Sequence, residues 1–134
     1  MQSQKRTIIL LLNDDGVTRQ VLRALHGMYA VSRVGNLSSA IALIRTDPHI
    51  AAIITEQGAA NGDAIESLET VRAVQPQVRR IMLTSYADLT SIVHGLHSGA
   101  VQSLVQKPVS EDELLAALCS GMPQAAEANR RISA

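Results

Sequence analysis

A chain of 134 residues with a 46% hydrophobic fraction is one domain with enough apolar material for a core, yet it has no Phe, no Trp and only two Tyr. Its core must be aliphatic, which excludes the aromatic stacking platforms of single-strand nucleic-acid binders. The formal net charge is zero, which removes the electrostatic case for nucleic acid, and a solitary Cys119 rules out a disulfide framework or a thiolate metal cluster.

The first apolar run, Ile8 to Leu12, is far too short to span a bilayer, and nothing resembles a signal peptide, so a cytoplasmic setting without membrane contact is expected. The run reads instead as a strand buried on both faces. After Asp14-Asp15-Gly16, apolar residues at Val17, Val21, Leu22, Leu25 and Met28 recur at helical spacing. Tyr29 to Val34 is a strand of mixed polarity. Leu37, Ala40, Ile41 and Ile44 predict a second helix, stopped by Asp47-Pro48. Ile50 to Ile54 is a third strand, leading into Thr55-Glu56. Asn61-Gly62 marks a turn, and Ala64, Leu68 and Val71 mark a third helix that ends near Pro76. Ile81 to Leu83 is a fourth strand, leading into Thr84. Leu89, Ile92, Val93 and Leu96 form the apolar face of a fourth helix closed by Gly99, with His94 and His97 on its solvated face. Val101 to Val105 is a fifth strand, followed by Lys107-Pro108. Ser110 and Glu113 give a capping-box signature before Leu114, Ala117 and Leu118, and the acidic Glu111-Asp112-Glu113 suits a helix start. Residues 1–121 read as one domain and 122–134 as a tail or the start of a linker to an output domain. The doublets Lys5-Arg6, Arg79-Arg80 and Arg130-Arg131 read as solvated surface.

Five alternations of strand and helix imply an α/β fold with a five-stranded parallel sheet and helices on both faces. The first, third and fourth strands are almost wholly apolar and belong in the middle. The second carries Ser32 and Arg33, the fifth Gln102, Ser103 and Gln106, so both belong at edges. The order 2-1-3-4-5 satisfies these demands. Ligands in such sheets bind where the carboxyl ends of the strands converge. Asp14, Asp15, Thr84 and Lys107 all follow strands, so two carboxylates, a hydroxyl and an ammonium meet in one crevice, a set suited to a divalent cation and a phosphoryl group.

With these motifs in this order, residues 7–118 resemble the receiver domain of two-component response regulators, the flavodoxin-like fold of CheY. Asn13-Asp14-Asp15 resembles the family's magnesium-holding acidic pair. Met82 to Asp88 resembles its fourth strand and following loop, Asp63 to Leu68 the segment opening its third helix, and Gln106-Lys107-Pro108 its lysine-proline pair. The resemblance implies a phosphate switch built on Thr84, Lys107 and position 104. It implies a metal site of Asp14, Asp15, the acceptor position and the carbonyl of Gly58. It also implies histidine kinases or other signalling proteins as partners, an output domain beyond Ala134, and a homodimer face made by the fourth helix, fifth strand and fifth helix.

The departures lie where the chemistry is. Counting back from Asp63, the phosphoacceptor position holds Glu56; counting from Pro48, it holds Ile54. Glu56 is preferred because it follows the apolar run, and neither register supplies an aspartate. Ala59-Ala60 stands where Met-Pro is expected, and the aromatic switch position holds Leu104. Phosphoryl transfer to a carboxylate needs in-line approach and a metal bridging the oxygens. Glutamate moves the carboxylate outward by about 1.5 Å, one C–C bond, which misplaces the nucleophile. The longer side chain can pair with Lys107 and leave Mg²⁺ weakly held at best. The expectation is therefore a degenerate receiver that acts by protein contact, without turnover of its own. A second reading exists, because Asn13-Asp14-Asp15-Gly16 after a strand also looks like the metal motif of survival-protein-E phosphatases. That likeness covers about a dozen residues and leaves Thr84 and Lys107 unexplained.

Overall fold

The computed structural model describes residues 5–56, 64–84 and 96–119. Five parallel strands form one sheet: β1 (Thr7–Leu11), β2 (Ala30–Arg33), β3 (Ile50–Glu56), β4 (Arg79–Thr84) and β5 (Ser103–Gln106), in the order β2-β1-β3-β4-β5. The polarity argument thus placed both edges and all three central strands. The described helices are α1 (Asp15–Leu25), α2 (Leu37–Thr46), α3 (Ala64–Val74) and α4 (Glu111–Cys119), the last being the fifth helix of the sequence reading.

Strand side chains alternate between faces, so the sheet divides the interior into two cores. Ile8, Leu10, Ile54, Ile81, Leu83 and Val105 face α1 and α4, where Val17, Val21, Leu25, Leu114 and Ala117 meet them. Ile9, Ile53 and Met82 face the other way, onto Ala40 and Ile44 of α2 and Leu68 and Val71 of α3. Each fully buried Ile or Leu contributes roughly 1.5–3 kcal/mol of transfer free energy, which is how an aliphatic core suffices without aromatics.

Helix starts are capped by side chains. Asp14 Oδ1 accepts the amides of Gly16 and Val17, Asn36 Oδ1 accepts that of Ser39, and Ser110 Oγ that of Glu113. α1 stops three residues before Met28, because Gly27 turns to φ +80° and the amides of Met28 and Tyr29 both fold back onto the Leu25 carbonyl. Met28 is consequently 53% exposed and not part of the apolar stripe.

Other boundaries move for physical reasons. β3 runs on to Glu56 because Thr55 still pairs with Leu11 and Glu56 with Leu83. β5 begins only at Ser103; Ala100 and Val101 are apolar because the connection before it is buried. Leu96 is 42% exposed, against its expected place on an apolar face beside an exposed His97. Leu89, Ile92, Val93 and His94 lie outside the described residues, as do Arg130-Arg131 and the 122–134 tail. Arg79 and Arg80 are not solvated surface: they are 8% and 4% exposed, main-chain carbonyls meet the Arg80 guanidinium, and Arg79 donates to the Ala117 carbonyl and the Ser103 hydroxyl. No described helix is long and apolar enough to cross a membrane.

Candidate functional site

The carboxyl ends of β1, β3, β4 and β5 lie side by side, and what projects from them forms the site. β3 ends in Glu56, whose side chain is 4% exposed. β1 ends before the turn that carries Asn13 and Asp14. The amides of both donate to Glu56 Oε1, at 2.7 Å and 3.0 Å. From the other side, Lys107 brings its Nζ to 2.7 Å from Oε2. Lys107 gets there because β5 lies two strands away, with β4 between, and its own amide donates to the Thr84 carbonyl at 2.8 Å. The peptide that follows, Lys107–Pro108, is cis.

Electrostatics follow from this geometry. Burial pushes the Glu56 carboxyl up, but the Lys107 hydrogen bond, the two amides and the Lys107 charge outweigh it and hold the carboxyl below the usual glutamate range. Glu56 is therefore ionised, with three donors on its two oxygens. A carboxylate so neutralised and so directed is a poor nucleophile.

The acidic pair is divided between two tasks. Asp14 is the N-cap of α1, one oxygen engaged by two amides. Asp15 opens the helix, stays exposed, and pairs with Arg33 at the end of β2 at 3.5 Å. Magnesium asks for several convergent oxygens in near-octahedral array. Gly58 lies outside the described residues, and among those described no three His, Cys, Asp or Glu side chains stand together as a metal cage. Asp14, Asp15 and Glu56 are each engaged elsewhere, so among the described residues there is no preformed cage for the ion, and it would have to displace those partners.

Thr84 is buried at the end of β4, one strand from Glu56. Leu104 is half-buried, opposite Met82, and packs against the core shared with α2 and α3. Ile54, the other acceptor register, is a fully buried member of the opposite core and carries no chemistry. The structure thus gathers Glu56, Lys107 and the Asn13–Asp14 turn, sets Thr84 beside them, and leaves Asp15 facing Arg33. Sequence reasoning missed the two amide donors, because a main-chain N–H carries no residue signature. It also missed Arg33, although β1–β2 adjacency and a basic residue closing β2 were both available.

The profile of the response regulator receiver domain matches residues 9–119. Among curated relatives, the acid tolerance regulatory protein ActR of Rhizobium meliloti is 27% identical over 114 residues, covering 84% of this chain and 58% of ActR. The hydrogenase transcriptional regulatory protein HoxA of Cupriavidus necator is 26% identical over 114 residues, covering 84% of this chain and 23% of HoxA. The chain therefore spans little more than half the length of the ActR it matches, and less of HoxA. Among the solved structures that share the fold are two of particular note. One is described as an adenylate cyclase from Rhodopirellula baltica (TM-score 0.78, 21% identity, 96% of each chain). The other is a response regulator receiver domain from Clostridium thermocellum (TM-score 0.73, 17% identity, 84% of this chain and 90% of that one). The nucleotidase likeness of Asn13 to Gly16 gains no support: Asp14 caps a helix and Asp15 pairs with an arginine. The sheet order, the crevice and the profile reaching every strand from β1 to β5 agree, and the chain belongs to the response regulator receiver domain family.

Proposed function

We propose that this domain is a phosphorylation-independent receiver that signals through protein contacts in two-component transduction, in the cytoplasm and with no turnover of its own. The observation that carries the reading is the Glu56 carboxylate, which meets Asn13 and Asp14 with one oxygen and Lys107 with the other. The charge that phosphorylation would deliver is replaced by a carboxylate already paired with Lys107. Magnesium, if it enters, must compete with Lys107 for Glu56 and with Arg33 for Asp15, so binding is weak. Leu104, without the bulk or polar tip of an aromatic, offers no rotor to report a change at Thr84. Partners under this reading are a histidine kinase or another signalling protein, and an output domain reached through residues 122–134. A homodimer through the fourth-helix, β5 and α4 face is a further contact of the same kind. The name of HoxA supports a place in transcriptional regulation, and that of ActR supports a regulatory role.

The test is labelling by a small phosphodonor such as acetyl phosphate. The unmodified chain should acquire no acid-labile phosphate, and Glu56→Asp should acquire it. A stable acyl phosphate mapped to Glu56 would overturn the proposal.

A further inference from the structure

The buried arginines at the start of β4 lie at the opposite end of the sheet from Glu56 and take no part in its chemistry. Arg80 donates from Nε to the Ala100 carbonyl at 3.0 Å, from one terminal nitrogen to Pro76 and Val78 at 3.0 Å and 3.1 Å, and from the other to Gly99 at 3.2 Å. Its main chain and Gln102 bind each other twice: the Arg80 amide donates to Gln102 Oε1, and the Gln102 amide to the Arg80 carbonyl. Arg79 donates to the Ala117 carbonyl in the last turn of α4 and to the Ser103 hydroxyl at the start of β5. Arg72 of α3 donates to the Ser98 carbonyl.

Two guanidiniums, those of Arg72 and Arg80, therefore grip consecutive carbonyls at 98, 99 and 100, and that of Arg79 attaches β5 and α4. Among the described residues no carboxylate meets Arg80; its charge is balanced by backbone dipoles alone. An isolated buried charge is costly, so these carbonyls must stay where they are for the fold to tolerate it. The planar five-donor fork is what lets one side chain bridge two turns, 76–78 and 99–100, and an ammonium cannot copy it. Gly99 fits the grip, with φ +86° and the Arg72 guanidinium 3.2 Å from where a Cβ would stand.

We propose that Arg72, Arg79 and Arg80 form a guanidinium clamp that holds residues 98–103 and the end of α4 in one pose. The clamp acts from the amino end of the sheet and does not depend on the Glu56 pocket. The β5 side of the domain is thus fixed at both ends, by Lys107 on Glu56 at the top and by arginine on carbonyls at the bottom.

Amide hydrogen exchange on the full chain tests this, with Arg80→Met and Arg72→Met beside the unmodified protein. With the clamp removed, the amides of Gln102, Ser103 and Leu104 should exchange about tenfold faster, as a local opening, while Ile9, Leu10 and Ile53 keep their rates. Arg80→Lys should recover only part of the protection. Exchange that quickens evenly through β1 and β3 would make the arginines ordinary core packing and overturn the clamp; unchanged exchange at 102–104 would do the same. Should Arg80→Met fail to fold, Arg72→Met decides alone, since Arg72 is exposed and its loss leaves the core intact. None of these outcomes depends on whether Glu56 accepts phosphate.

Discussion

The amide of Asn13 points at the carboxylate of Glu56, 43 residues further along the chain, from 2.7 Å. That contact joins the turn after β1 to the end of β3 and leaves the second carboxylate oxygen for Lys107. Glu56→Gln keeps an acceptor for the amides but turns an amide group toward the ammonium, which is then uncompensated. The expected loss of stability is about 2–3 kcal/mol, below the range for a fully buried broken pair because Lys107 keeps some contact with water. Urea denaturation measures it, and an unchanged midpoint would show that the pair holds nothing.

The same pair sets an acid limit. The folded-state value of Glu56 lies below its ordinary 4.5. Its contribution to stability is therefore complete above that ordinary value and is lost as pH falls through the lowered folded value. Between pH 5 and 8 this group should leave stability flat. In Glu56→Gln the part of the acid destabilisation due to this residue should vanish, so the two stability–pH curves converge at the acid end.

Magnesium binding should be limited by Arg33. Removing it in Arg33→Ala frees Asp15 and should tighten binding severalfold, whereas Asp15→Ala should abolish what binding there is. The exposed Asp15–Arg33 pair itself is worth at most about 1 kcal/mol, so neither change should unfold the protein. Calorimetric titration with Mg²⁺ separates the variants; equal affinity in both would remove the acidic pair from any metal site.

Gly99→Ala should cost about 1–3 kcal/mol, the range for a side chain forced into a left-handed conformation, with the Arg72 contact added. Thermal unfolding reads the loss. Arg72→Ala in the same chain should relieve the contact but not the backbone strain, so the double variant recovers only part of it.

Beryllofluoride with Mg²⁺ should produce little spectral change at Thr84 and Leu104. A ligand shifts a conformational equilibrium only by its differential affinity for the two states. Neither an acceptor aspartate nor an aromatic at 104 is present to create one. Large NMR shifts at these residues beyond those with Mg²⁺ alone would reveal a working switch.

Strand order was legible because polarity sorts strands into centre and edge: Ser32-Arg33 and Gln102-Ser103 mark the margins without any knowledge of contacts. The convergence of Glu56 and Lys107 was legible because both follow strands whose ends must meet. The same reasoning failed at Arg79-Arg80, since counting charges as surface ignores that a guanidinium can be satisfied by carbonyls. It failed at Met28, where helical spacing continued past a glycine that had already turned the chain. The Asn13 and Asp14 amides could not be read at all, being identical in every residue but proline.

The division of the core by the sheet has a practical consequence. Ile8 and Ile9 are neighbours in sequence, as are Ile53 and Ile54, yet each pair splits between the two interiors. Their methyl groups are therefore paired probes, one for each side of a single wall. A protein docking on the α1–α4 layer should disturb the resonances of Ile8, Ile54 and Ile81. One docking on the α2–α3 layer should disturb those of Ile9 and Ile53. An isoleucine-labelled sample can thus report which side a binding partner has chosen before any interface is mapped.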